Sequence, residues 1–87
     1  NMIGIFYSPF FIRKYNRLES ELKEELLEKI DLFKDRKNHT SLKVHKLHGK
    51  FSSQFSFSTN YKFRIVFRYV SKNEVLFLDL GDHDIYK

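Results

Sequence analysis

Hydrophobic positions recur along this chain with two different periods, and the change of period divides it. Met2 to Tyr7 is a short apolar run rich in β-formers, without polar alternation. It predicts a strand covered on both faces. Ser8-Pro9 reads as a helix start, with Ser as N-cap and Pro at the first helical position. Phe10, Phe11, Tyr15 and Leu18 can share one face of a short helix near Pro9 to Arg17. A break or bend around Arg17 to Ser20 leads into a second helix, from about Glu19 to Arg36. Leu22, Leu26, Ile30 and Phe33 form its apolar stripe, and Leu27 widens it. Glu and Lys alternate on the solvated face, where pairs such as Glu25–Lys29 add roughly a few tenths of a kcal/mol.

Beyond Asn38 the period becomes two. Asn38-His39-Thr40-Ser41 is a polar connection, Leu42 to Leu47 a short strand or an irregular segment, and His48-Gly49-Lys50 a turn. Phe51 to Thr59 predicts a strand with Phe55 and Phe57 inward and Gln54, Ser56 and Ser58 outward. Asn60 and its neighbours form a tight connection. Tyr61 to Val70 carries the strongest alternation, with Tyr61, Phe63, Ile65, Phe67 and Tyr69 on one face and Arg64 and Arg68 on the other. Ser71-Lys72-Asn73 is a hairpin turn, Val75 to Leu80 a final strand, and Asp82 to Tyr86 a short tail. This order predicts one α+β domain over residues 1–87: an N-terminal strand, a two-helix hairpin, then antiparallel strands in one mainly antiparallel sheet, with the helices on one face.

Charge sharpens the picture. The net charge is +5. Residues 1–37 carry eight basic against seven acidic groups, and residues 74–87 one against four. Residues 38–73 carry seven basic residues and no Asp or Glu. A sheet face rich in cations favours a phosphate-bearing partner, although a soluble basic surface has the same composition. The chain has no cysteine, so no disulfide framework exists, which fits a reducing cytosol. No signal peptide and no apolar run near 18 residues is evident, so the expected location is the cytoplasm, away from membranes.

Five side chains carry candidate chemistry. Guanidinium donates forked hydrogen bonds to phosphate. Arg64 and Arg68 stand about 13 Å apart along one strand, too far to share one phosphate easily, so different roles are expected. His45 lies with Lys46, His48 and Lys50 before and around a turn, and histidine can act as general acid or base. His83 sits between Asp82 and Asp84, and a neighbouring carboxylate stabilises imidazolium, which suits a general acid. Tyr86 can stack on a base or hold a phosphate. Side chains adjacent in sequence rarely converge on one ion, so no metal is expected at His83. No P-loop, zinc spacing or serine elbow is present.

Taken together, Ser8-Pro9-Phe10, Lys46-Leu47-His48-Gly49, Tyr61-Lys62-Phe63-Arg64-Ile65-Val66-Phe67 and Leu80-Gly81-Asp82-His83-Asp84-Ile85-Tyr86 resemble, in that order, the RelE/ParE superfamily of toxin–antitoxin toxins. The likeness spans nearly the whole chain and is strongest to the RelE- and YafQ-like branch. It implies a ribosome-dependent mRNA endonuclease, silenced in a hetero-oligomer with a cognate antitoxin. The substrate would be mRNA in the ribosomal A site, cleaved by attack of a 2′-hydroxyl on the adjacent phosphorus, without metal or cofactor. On this resemblance Arg64 stabilises transition-state charge and His45 is a base or acid. His83 matches a catalytic histidine, and Tyr86 matches a terminal aromatic that orients the nucleotide. Lys43, Lys46 and Lys50 would position phosphate, with Lys62 and Arg68 in the same cationic surface. His83 and Tyr86 are separated by two residues, where many relatives have more. The same superfamily includes ParE-like toxins that block DNA gyrase without cutting nucleic acid, and an inactive antitoxin-binding relative would also share the motifs.

Overall fold

A computed structural model describes residues 2–51, 53–60 and 62–82. Its elements are β1 (Gly4–Tyr7), α1 (Pro9–Asn16), α2 (Ser20–Phe33), β2 (His45–Lys46), β3 (Phe55–Ser58), β4 (Arg64–Ser71) and β5 (Glu74–Gly81). Two short 3₁₀ turns, Arg36–Asn38 and Gly49–Phe51, lie between them. The five strands form one sheet in the order β1-β5-β4-β3-β2. β1 runs parallel to β5, and every other pairing is antiparallel. This is the expected α+β arrangement.

The helices form for local reasons that the sequence displays. The Ser8 hydroxyl accepts from the Phe11 backbone N–H at 3.0 Å and donates to the Leu78 carbonyl at 3.2 Å. One side chain therefore both caps α1 and ties it to β5. α2 buries Leu26, Ile30 and Phe33 of the predicted stripe, while Leu22 is only half-buried. Phe33 is the centre of the core: its ring stacks on Phe57 at 4.5 Å and on His39 at 4.6 Å, and meets Phe67 edge-on at 5.0 Å. Such aromatic pairs each add about 0.5–1.5 kcal/mol beyond the area they bury. Phe11, Ile65, Val75, Phe77 and Leu80 complete the layer between helices and sheet.

Several boundaries differ from the periodicity. β1 is an edge strand, and its Phe6 and Tyr7 are 53% and 41% exposed, so it is not covered on both faces. An unbroken apolar run does not reveal whether a strand lies at the centre or the edge. Leu27 is 52% exposed and does not widen the stripe. α2 stops at Phe33 rather than Arg36, because the Ile3 N–H takes the Lys34 carbonyl at 2.8 Å and the Asp35 carboxylate accepts from the Lys37 N–H at 3.1 Å. The segment Leu42–Leu47 pairs over only two residues, since Lys43 adopts a left-handed φ of 60°. β3 is shorter than Phe51 to Thr59, its first part being replaced by the turn at Gly49–Phe51. β4 begins at Arg64 because Asn60 Oδ1 accepts from the N–H groups of Lys62 and Phe63, at 2.8 and 2.6 Å, holding a turn. Among the described residues no helix is long and apolar enough to cross a membrane.

Candidate nucleic-acid interface

Register decides which side chains share the face away from the helices. Residues directly opposed in neighbouring strands point the same way. Ile65 lies opposite Leu80, Phe67 opposite Phe77, and Tyr69 opposite Val75; these face the helices. Arg64 opposite Ser58, Val66 opposite Ser56, and Arg68 opposite Leu76 therefore occupy the other face. His45 opposite Ser56 extends that face across β3. Arg64, Arg68 and His45 thus share one side of the sheet, although they come from two strands separated by a third.

The centre of this face is not bare. Ser56 points outward as expected, yet it is fully buried, and Val66 beside it is 5% exposed. It lies in the middle of a cross-strand row, between His45 and Val66. β5 also brings an acid to the row: Asp79 lies opposite Val66. Lys14 of α1 neutralises it with an ion pair of 2.7 Å. Alternation within β4 could not reveal that carboxylate, because it comes from another strand.

His45 is exposed, and its Nδ1 lies 2.8 Å from the Lys43 carbonyl. A carbonyl only accepts, so Nδ1 carries the proton and the neutral ring keeps its lone pair on Nε2. That tautomer can take a proton from a substrate hydroxyl. The left-handed Lys43 that supplies the carbonyl is an uncommon conformation for a residue with a β-carbon, and costs of order 1 kcal/mol.

Arg64 is half-buried, and its Nη1 donates to Ser58 Oγ at 2.9 Å. The contact fixes one end of the guanidinium and leaves its other N–H groups to donate elsewhere. Arg64 lines a depression of about 380 Å³ with Lys29, Lys43, Ser41, Ser58 and Asn60. Ser41, Ser58 and Lys29 were not singled out by the sequence. Lys29 looked like half of a helical ion pair with Glu25, but Glu25 Oε1 instead accepts from Asn60 Nδ2 at 2.7 Å.

The remaining candidates separate. Arg68 is exposed on the same face as Arg64, further along β4. Lys46 lies opposite Phe55, so it points to the other face from His45. Lys50 is in the turn Gly49–Phe51 and Lys62 in the turn held by Asn60; both are exposed. His39 is structural: its Nε2 meets the Phe33 carbonyl at 2.7 Å and its ring stacks on Phe33. His83 and Tyr86, the tail candidates, lie outside the described residues. Among the described residues no three His, Cys, Asp or Glu side chains converge to hold a metal ion.

No protein-family model matches the chain, and no curated protein matches it. Solved structures do. A chain of the toxin–antitoxin complex RelBE2 from Mycobacterium tuberculosis superposes with a TM-score of 0.75 at 14% identity, covering 94% of this chain and 92% of that one. A chain of the archaeal RelE–RelB complex from Pyrococcus horikoshii gives 0.71 at 13% identity, covering 94% and 96%. YafQ from Escherichia coli gives 0.68 at 14% identity, covering 97% of each. What these likenesses share with the present chain is the fold.

Proposed function

We propose that this chain, built on the RelE/ParE toxin fold, is the toxin of a toxin–antitoxin pair and acts as a ribosome-dependent mRNA endonuclease. The observation that carries the reading is the pairing of His45 and Arg64 on one face, the first with a free Nε2 lone pair and the second anchored by Ser58. A base and a fixed cation are what internal phosphoryl transfer requires.

In this reading His45 Nε2 takes the proton of a ribose 2′-hydroxyl as its oxygen attacks the adjacent phosphorus. The 5′-oxygen leaves with the P–O electron pair and is protonated by a general acid, for which His83 is the candidate. The products are a 2′,3′-cyclic phosphate and a 5′-hydroxyl, so protons and electrons balance without water, metal or redox partner. Arg64 donates to the phosphoryl oxygens as negative charge builds on them. Arg68, Lys43, Lys50 and Lys62 hold flanking phosphates. Lys46, on the opposite side of β2, serves the RNA only beyond the edge of the sheet. Tyr86 orients the nucleotide.

The substrate would be mRNA in the ribosomal A site, which puts the protein in the cytoplasm. The partner would be an antitoxin, as the complexes of the structural relatives suggest.

His45→Ala and Arg64→Ala should each lower cleavage of translated mRNA in a purified translation system. The expected losses are about 10²–10⁴-fold for the base and about 10²–10³-fold for the charge stabiliser. Circular dichroism should show both variants folded. Undiminished cleavage by both would overturn the assignment.

A further inference from the structure

The depression beside Arg64 collects three cations from three parts of the chain: Lys29 from α2, Lys43 from the connection before β2, and Arg64 from β4. Among the described residues none of the three is in an ion pair. The nearest carboxylate partner expected for Lys29 is Glu25, one helical turn earlier, and it is engaged by Asn60 instead. Like charges around one concavity repel, and an anion seated among them relieves that repulsion. The hydroxyls of Ser41 and Ser58 add polar groups to the same wall. Lys43 reaches this wall from a left-handed backbone, an unusual conformation maintained where the chain turns towards the site.

We propose that this depression is a subsite for a non-reacting phosphodiester of the RNA, with Lys29 as its positioning residue. The proposal rests on the RNA reading given above. Arg64 connects the two places. Its guanidinium, held by Ser58, borders the depression and stands on the face that carries His45. Lys29 touches no reacting atom, so its contribution falls on binding rather than on the chemical step.

The test uses the full chain and a single-stranded RNA whose 2′-hydroxyls are replaced by hydrogen, so that it binds without being cut. Binding is followed against salt for the unsubstituted chain, Lys29→Gln, Lys29→Arg and Lys34→Gln. Lys34 is the C-cap of α2, lines a different groove and sits near Asp31. Lys29→Gln is expected to weaken binding several-fold and to lower the salt slope by about 0.7, the value for one single-strand phosphate contact. Lys29→Arg should restore both, and Lys34→Gln should change neither slope nor affinity by as much. In the translation system Lys29→Gln should raise KM and leave kcat within about twofold.

Equal slopes for the unsubstituted chain and Lys29→Gln, equal losses for the two glutamine variants, or no salt-dependent binding at all would overturn the subsite. If binding depends on Lys29 but translated mRNA stays intact, the nuclease reading falls and the phosphate subsite stands. If mRNA is cut and Lys29→Gln is indistinguishable from the unsubstituted chain, the reverse holds.

Discussion

Asn60 does more at this site than its place in a turn suggests. Its side-chain oxygen holds the N–H groups of Lys62 and Phe63, and its amide nitrogen donates to Glu25. Asn60→Ala removes all three bonds. A stability loss of about 1–2 kcal/mol is expected by urea unfolding. Glu25 is then free to pair with Lys29 at i, i+4, which should weaken RNA binding although no cation has been removed. An unchanged unfolding midpoint together with unchanged RNA affinity would contradict this linkage. Single residues were unevenly legible in the sequence. Arg64 and Arg68 could be read from alternation, because a strand puts alternate side chains on opposite faces. The role proposed for Lys29 could not, since it depends on Asn60 capturing Glu25 from thirty-five positions away. His45 was legible as a candidate, but its tautomer depends on the Lys43 backbone, which no side-chain pattern encodes.

At the scale of elements, the amphipathic pieces were the readable ones. The stripe of α2, the Ser8 cap of α1 and the alternation of β4 all appear where the sequence puts them. The short pieces were not. β2 is two residues long and exists because β3 offers it an edge, so its extent belongs to pairing rather than to propensity. β1 reads as buried because it is apolar, yet it closes the parallel edge of the sheet. Its Tyr7 packs against Phe11 and Phe77, with ring centroids 5.7 and 5.5 Å away. Burial, and secondarily the nearby Tyr15, raise the Tyr7 hydroxyl above its ordinary value of 10.0. The folded chain therefore keeps a proton that the unfolded chain gives up. The resulting stability is fully present below pH 10.0 and is lost as pH rises from there through the raised value. Tyr7→Phe should flatten this alkaline loss in thermal unfolding across pH 9 to 11. An identical decline in the variant would show that β1 is not its source.

For the whole molecule, the fold converts an uneven charge sequence into a two-sided object. The helices and the aromatic core occupy one side of the sheet. The segment 38–73, with seven basic residues and no acid, builds the cationic part of the other. The core gives that face rigidity, since Phe57, Ile65 and Phe67 are fully buried directly behind the strands that carry Ser58, Arg64 and Arg68. The architecture was legible because helical and strand periods occupy separate parts of the chain. The composition of the face was only half legible, because Lys14 and Asp79 meet there from α1 and β5. On the proposed function, this face cuts RNA by internal transfer. The most direct measurement maps the ends of an mRNA translated in a purified system with the chain added. Cuts are expected in the ribosomal A site that leave a 2′,3′-cyclic phosphate and a 5′-hydroxyl, and none where the 2′-hydroxyl at the cut site is replaced by hydrogen. Intact mRNA, alongside inhibition of DNA gyrase in a supercoiling assay, would contradict it.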